Sequence, residues 1–86
     1  MQLEGQRGRR FLVLASGDNV ATLLDDEVEI KQLDDGMFIN GKIPFGHKIS
    51  LHSIARGEAI IKYGISIGVA TSFIEKGDHV HVHNCK

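Results

Sequence analysis

The sequence has few of the residues that cross-link or stiffen a chain: one cysteine, one proline and no tryptophan in 86 residues. The single cysteine, Cys85, excludes an internal disulfide framework and is typical of a reducing compartment. The net charge is only −1. The chain therefore lacks the excess of cations that nucleic-acid binding requires, and we expect no nucleic-acid partner.

A long hydrophobic run is also missing from the start of the sequence. Arg7, Arg9 and Arg10 precede the apolar stretch 11–15, which is too short for a signal peptide or a membrane span. We therefore expect a cytoplasmic protein with no membrane partner.

The composition is that of one folded domain. Hydrophobic residues make up 42% of the chain and charged residues 24%, which is ordinary for a globular protein of one small core. We expect residues 1–10 to form an N-terminal segment that is flexible at its start. Residues 11–86 would then form the domain.

Glycine is plentiful, with ten residues, and it separates short runs that are rich in valine and isoleucine. This pattern predicts an all-β domain of short strands and tight turns, with at most one or two short helical turns. Asp35-Gly36 and Asn40-Gly41 predict type I′ hairpin turns, in which both central residues have positive φ. Asp18 predicts a capped helical turn over 18–24. The predicted strands cover residues 9–14, 28–33, 37–39, 48–51, 59–62, 65–70 and 80–83.

One pattern occurs three times: Ile, two residues, Gly, two residues, and then Ile or Val. It predicts three similar corners, in which the first apolar residue anchors a turn in the core and the second enters the next strand. The glycine between them would adopt a φ that other residues avoid. Because the copies are unequally spaced, they favour one folded-over sheet and not a solenoid. The copies are Ile43 to Ile49, Ile54 to Ile60 and Ile74 to Val80.

Residues 65–70 alternate large apolar side chains with small ones, which is the period of a strand. We expect the large side chains to pack in the core. The other face carries Ser66, Gly68 and Ala70. It leaves room for a backbone, a ligand or a partner to approach closely.

Three histidines occupy alternate positions near the end of the sequence, His79, His81 and His83. In a strand they share one face, while Val80 and Val82 face the core. Neighbouring histidines are then about 6.5 to 7 Å apart at Cα, so at most two of the three can share one metal ion. A solvated histidine face that binds nothing is the alternative. A metal site would need further ligands, for which the candidates are His47, His52, Asp18 and Asp78.

Two other pairs of residues carry chemical groups. His47-Lys48 enters a predicted strand and Lys62-Tyr63 leaves one. Such side chains together could hold a carboxylate and move a proton, as elimination next to an acid group requires. Alternatively, Lys62-Tyr63 is an exposed edge. The sequence contains no phosphate loop, catalytic-serine motif or paired-cysteine zinc knuckle.

The stretches DNVATLL (18–24) and IPFGHKISLHSIARGEAIIKYGISIGVATSFIEKGDHVHVHN (43–84) resemble the small amino-terminal domain of altronate and galactarate dehydratases. This is an SAF domain with a β-clip fold, and the resemblance covers about residues 11–84. It implies a component of an enzyme that removes water from a hexonate or hexarate to give a 2-keto-3-deoxy acid. It also implies a divalent metal, Fe²⁺ or Mn²⁺, and a much larger dehydratase subunit or domain as partner.

The resemblance also suggests site residues and leaves alternatives open. We expect no turnover from the chain alone. One alternative is the small subunit of sulfolactate sulfo-lyase, from which sulfite leaves instead of water. Another is a non-catalytic SAF module that binds or assembles, and a homo-oligomer could form through a sheet edge. The candidate residues for substrate binding are His47, Lys48, Lys62 and Tyr63, and those for metal binding are His81 and His83.

Overall fold

The computed structural model describes residues 8–86. These residues form antiparallel strands and turns with no helix, so the predicted all-β class is confirmed. The strands are β1 (Phe11–Leu12), β2 (Val20–Leu23), β3 (Lys48–Ser50), β4 (Ala59–Lys62), β5 (Ile65–Val69) and β6 (His79–Val80). One sheet has the order β1-β2-β3-β6, and β4 pairs with β5 in a second sheet. Within 8–86 no helix is long and apolar enough to cross a membrane.

The three predicted corners are confirmed. Gly46, Gly57 and Gly77 have φ of 83°, 88° and 93°. In each corner, the N–H of the residue after the glycine donates to the carbonyl three residues earlier, at 3.0 to 3.1 Å. This is the geometry of a type II turn, whose third residue needs positive φ. The apolar residues that flank the glycines are all buried: Ile43, Ile49, Ile54, Ile60, Ile74 and Val80.

The core consists of two hydrophobic clusters on opposite sides of β2. Val20 belongs to one cluster and the next residue, Ala21, belongs to the other. Since neighbouring residues of a strand point to opposite faces, β2 is covered on both sides. Thr22 pairs with Leu12 of β1 and with Lys48 of β3. The predicted helical turn over 18–24 is therefore wrong, because tertiary pairing and burial on both faces favour a strand.

Asp18 satisfies backbone amides of the hairpin between β4 and β5. Its carboxylate accepts hydrogen bonds from the N–H groups of Tyr63, at 2.9 Å, and Gly64, at 2.8 Å. These two residues have φ of 56° and 79°, which makes their loop the type I′ turn. At Asp35-Gly36 and Asn40-Gly41 only the glycine has positive φ. The type I′ prediction for those two dipeptides is therefore wrong.

The region 24–42 contains less regular structure than predicted. The predicted strands 28–33 and 37–39 are reduced to isolated bridges, such as that between Gln32 and Phe38. The reason is that short backbone turns use the amides that a strand would pair: Ile30 N–H donates to the carbonyl of Glu27 at 3.0 Å. The predicted strand 9–14 is likewise shortened, to β1.

Arg9 fastens the beginning of the described chain to the core. Its side chain is fully buried, and its Nε donates to Oδ1 of Asp25 at 2.9 Å. The two terminal nitrogens donate to the backbone carbonyls of Ile43 and Asp25. Residues 1–7 of the predicted N-terminal segment lie outside the described residues, but Arg9 is part of the folded domain.

Strand β5 presents the opposite face to the core from the one predicted. Ile65 is 63% exposed, and Ile67 and Val69 are also exposed, whereas Ala70 is buried. The cause is the pairing of β5 with the last residues of the chain, since Lys86 N–H donates to the carbonyl of Val69 at 2.9 Å. A Cβ at Gly68 would lie 2.5 Å from the carbonyl oxygen of Lys86. The small face is thus the site of a close backbone approach, as predicted, but the burial of the large side chains was predicted wrongly.

Candidate functional site

Three histidines from two distant parts of the sequence meet at one end of the larger sheet. The ring nitrogens of His47, His79 and His81 include one atom each that lies within 4.8 Å of the other two. His47 Nδ1 and His79 Nε2 are 2.9 Å apart. The rings of His47 and His81 stack, with centroids 4.4 Å apart. We call these three residues the histidine cluster.

The first and third corners position the cluster. His47 follows Gly46 directly, and its carbonyl accepts a hydrogen bond from the N–H of Leu23 at 2.9 Å. Strands β3 and β6 pair in a register that sets Lys48 opposite Val80. One further step along that register places His47 opposite His81, because antiparallel partners run in opposite directions. Side chains at directly opposed positions share a face, so the imidazoles converge.

A side-chain amide ends strand β6 just before His81. Asn84 Oδ1 accepts from the N–H of His81 at 3.0 Å, and Asn84 Nδ2 donates to the carbonyl of His79 at 2.9 Å. The backbone therefore turns over 81–84 and does not continue as a strand. Val82 is 82% exposed as a result. The predicted strand 80–83 and the predicted core position of Val82 are wrong for this reason.

The two metal candidates from the sequence lie in different places. His81 belongs to the histidine cluster. The ring of His83 is 5.4 Å from that of His79, but His83 is exposed and outside the cluster. The sequence pattern identifies His79 only as a member of the alternating row. The corner repeat contained the missing signal, because equivalent corners before His47 and His79 lead into strands that pair.

The environment of the cluster keeps the His79 side chain uncharged at neutral pH. Burial lowers the pKa of His79 to about 4, with further lowering from the positive charge that His47 and other nearby cationic groups would carry. Burial and His47 also lower the pKa of His81. A metal ion binds the neutral form of imidazole, so His79 can act as a ligand at neutral pH without first losing a proton.

The donor set fits a transition metal. Histidine nitrogens bind Zn²⁺ and similar ions at about 2.0 to 2.1 Å, and the cluster offers three ring nitrogens that lie within 4.8 Å of one another. The cluster contains no carboxylate. Imidazole ligands suit iron, zinc, copper or nickel, whereas Mn²⁺ prefers sites rich in oxygen. Three protein ligands also leave coordination positions open to a substrate, as in catalytic metal sites.

An open pocket of about 190 Å³ lies beside the cluster. It is lined by Lys48, Ile67, His81, Val82 and Cys85. Lys48 gives the pocket a half-buried cation, which suits a carboxylate. Pockets that enclose a small ligand usually measure about 300 to 1,000 Å³. The pocket can therefore hold only part of a small-molecule ligand, and a second surface is needed to enclose the rest.

Lys62 and Tyr63 lie at the β4–β5 hairpin and do not line this pocket. Lys62 Nζ is 4.1 Å from the centroid of the Tyr63 ring. The neighbouring ammonium group also lowers the pKa of the Tyr63 hydroxyl. Of the four substrate candidates, the structure brings His47 and Lys48 to the site, while Lys62 and Tyr63 shape a turn that Asp18 supports.

Comparisons with known proteins agree on one family. The model of the altronate/galactarate dehydratase SAF domain matches residues 9–86. Subunit alpha of the (2R)-sulfolactate sulfo-lyase of Chromohalobacter salexigens is 34% identical over an alignment of 86 positions, which covers 88% of this chain and 92% of that subunit. The altronate dehydratase of Bacillus subtilis is 41% identical over 81 residues, covering 91% of this chain but 16% of the dehydratase. The altronate dehydratase of Escherichia coli is 35% identical over 80 residues, covering 90% of this chain and 16% of the dehydratase.

Proposed function

Because the chain belongs to the altronate/galactarate dehydratase SAF domain family, we propose that it is the small component of a lyase that acts on sugar acids. The observation that carries this proposal is the histidine cluster beside a pocket that contains Lys48. A metal-ligand set and a cation at one opening suit a substrate that has both a carboxylate and hydroxyl groups.

The proposed reaction is the β-elimination of water from a hexonate or hexarate. A proton leaves the carbon next to the carboxylate, a hydroxyl leaves the following carbon, and the resulting enol becomes a 2-keto-3-deoxy acid. His47, His79 and His81 would hold a divalent metal, which supplies a Lewis acid for the substrate oxygens. Lys48 would bind the substrate carboxylate and fix its orientation. Of the two metals that the family resemblance implies, the all-imidazole cluster favours Fe²⁺ over Mn²⁺.

The proposed partner is a larger dehydratase subunit or domain. The altronate dehydratases that the chain resembles are much longer than it is, since the match covers 16% of their length. The pocket of about 190 Å³ is also too small to enclose a six-carbon acid. The larger component would close the site over the substrate and contribute the remaining catalytic groups.

A second candidate function is that of the small subunit of a sulfolactate sulfo-lyase. The observation that favours it is similarity, because subunit alpha of the Chromohalobacter enzyme is 34% identical to this chain. The first step would be the same, removal of the proton next to the carboxylate, and sulfite would then leave in place of hydroxide. The same Lys48 and histidine cluster would serve this substrate.

Anaerobic calorimetric titration of the chain with Fe²⁺ tests the proposed metal site. We expect one ion to bind per chain. The affinity should fall by well over tenfold in His81→Ala, because loss of a direct ligand costs more metal affinity than loss of an outer-shell partner, which costs about 10- to 100-fold. His83→Ala is the matched control, since His83 lies outside the cluster, and it should bind as the wild type does. Equal affinity in all three proteins would contradict the assignment and favour a histidine face without a ligand.

A turnover assay distinguishes the candidate substrates. The chain is combined with the large dehydratase-like chain of the same genome, and altronate, galactarate or (2R)-sulfolactate is added in turn. Formation of a 2-keto-3-deoxy acid, followed by NMR, would support the dehydratase. Release of sulfite would support the sulfo-lyase. No turnover of any of the three would favour a module that only binds or assembles.

A further inference from the structure

The outer face of the β4–β5 sheet is apolar. Ile65, Ile67 and Val69 point away from the core and are exposed. The residues of β5 between them are the small Ser66 and Gly68, and the buried side chain of this sheet comes from Ile60 of β4, which pairs with Gly68. We call the three large residues the β5 strip.

Along β5, this distribution is the reverse of that in a strand whose sheet has one face in water. Such sheets place apolar side chains inside and polar ones outside. Here Gly68 must stay small because the carbonyl of Lys86 occupies the space of a Cβ, at 2.5 Å. That contact explains the small inner side chains but does not explain three large β-branched side chains outside. Contiguous exposed apolar residues of this kind mark an interaction surface.

We infer that the β5 strip is the surface on which the larger lyase component docks, an inference that rests on the proposed function. The first argument is continuity with the site. Ile67 belongs to the strip and also lines the pocket that contains Lys48 and His81. A chain that covers the strip must therefore reach the edge of the pocket. It would supply the second surface that the pocket needs to enclose a sugar acid.

The second argument is the chemistry of the surroundings. Val82, which is exposed beyond the cluster, lines the same pocket as Ile67, so apolar surface extends from the strip to the site. Lys62 pairs with Ile65 across the sheet and flanks the other end of the strip. The surface thus has an apolar centre with a cation at its rim, which is the usual organisation of a protein interface. The partner should present an apolar patch with an acidic group at its edge.

Two glutamate substitutions test the docking surface without changing the pocket. Ile65→Glu and Val69→Glu each place a carboxylate in the strip, and neither residue lines the pocket. Phe38→Glu is the matched control, because Phe38 is 75% exposed and lies against a different pocket, with Gly36 and Lys76. The affinity of each variant for the large dehydratase-like chain of the same genome is measured by sedimentation velocity. Circular dichroism and Fe²⁺ titration check that each variant is folded.

We expect Ile65→Glu and Val69→Glu to weaken the complex by at least about tenfold, because each would bury an unpaired carboxylate in an apolar interface, and Phe38→Glu to leave it unchanged. If the wild type binds the large chain and all three variants bind it equally, the docking surface is refuted and the proposed function stands. If the wild type does not bind the large chain, the docking surface and the proposed function are both refuted. If the wild type alone forms a dimer that Ile65→Glu converts to monomers, the occupant is a second copy and the inference is wrong.

Discussion

The glycine corners and the turn at 81–84 both reverse the chain, but they depend on different kinds of contact. At a corner the reversal depends on a backbone angle that glycine adopts easily and on two buried apolar anchors. At 81–84 it depends on one side-chain amide, that of Asn84, which bonds the backbone of His79 and His81. The corners bury apolar residues in the core, and the first and third also lead into the strands that carry the histidine cluster. Asn84 acts only on the backbone between two members of that cluster. The Asn84 turn can therefore be removed by mutation while all three corners remain.

The largest effect should come from adding a methyl group at the third corner. Gly77→Ala combines a positive φ with a Cβ that would lie 2.6 Å from the carbonyl oxygen of Phe38. We expect a loss of about 3 kcal/mol in the free energy of unfolding, measured by urea denaturation. Gly57→Ala is the matched control, since its φ is similar but nothing lies within 4 Å. It should cost only about 1 to 2 kcal/mol, and equal losses would mean that the contact with Phe38 is unimportant.

Removal of the Asn84 amide from the turn at 81–84 should cause a smaller loss of stability and, in addition, a loss of Fe²⁺ affinity. Asn84→Ala leaves His81 N–H and His79 C=O without their partner, and we expect a loss of about 1 to 2 kcal/mol in unfolding free energy. Fe²⁺ affinity should fall by about 10- to 100-fold, as for outer-shell partners of metal ligands.

Asn19→Ala gives the control for that experiment. The Asn19 side-chain amide also makes two hydrogen bonds to the backbone: it donates to the carbonyl of Ala59 and accepts from the N–H of Ile61. Asn19 lies outside the histidine cluster. Its loss should reduce stability by a similar amount and leave Fe²⁺ affinity unchanged. A fall in affinity in both variants would show that metal binding follows overall stability and not the Asn84 turn.

The smallest effect concerns acid. Burial would raise the pKa of Asp18, but the N–H groups of Gly64 and Tyr63 hold it below its ordinary value of 3.8. A carboxylate with a lowered pKa stabilises the fold above pH 3.8 and loses that contribution as the pH falls towards the folded-state pKa. The melting temperature of the wild type should therefore decrease as the pH falls below about 4. Asp18→Asn should show a shallower decline over that range, and parallel curves would contradict the role of Asp18.

The same contrast explains how much could be predicted from the sequence. The corners were predicted correctly because turn chemistry and apolar anchors are local and agree with the tertiary fold. The orientation of β5 was predicted wrongly because it depends on one contact, between Gly68 and the carbonyl of Lys86, that no local pattern indicates. Likewise, a row of alternating histidines favours a strand until Asn84 competes for the backbone of His81.

Candidate site residues divide along similar lines. His47 and Lys48 follow a corner and could be connected to His81 once β3 and β6 were known to pair. Lys62 and Tyr63 form a pair of reactive groups in the sequence, but their placement at a type I′ turn is a backbone requirement. Residue type alone does not distinguish a group that faces a ligand from one that shapes a turn.

The buried guanidinium of Arg9 sets a practical limit on how short this domain can be made. It is hydrogen-bonded to the carboxylate and carbonyl of Asp25 and to the carbonyl of Ile43. Ile43 begins the corner that carries His47. A shorter protein that starts at Phe11 would leave the buried Asp25 carboxylate without its cation and two carbonyls without the Arg9 donor, a defect of about 3 to 5 kcal/mol when a buried ion pair loses one member. Expression of the isolated domain for metal titration should therefore begin before Arg9.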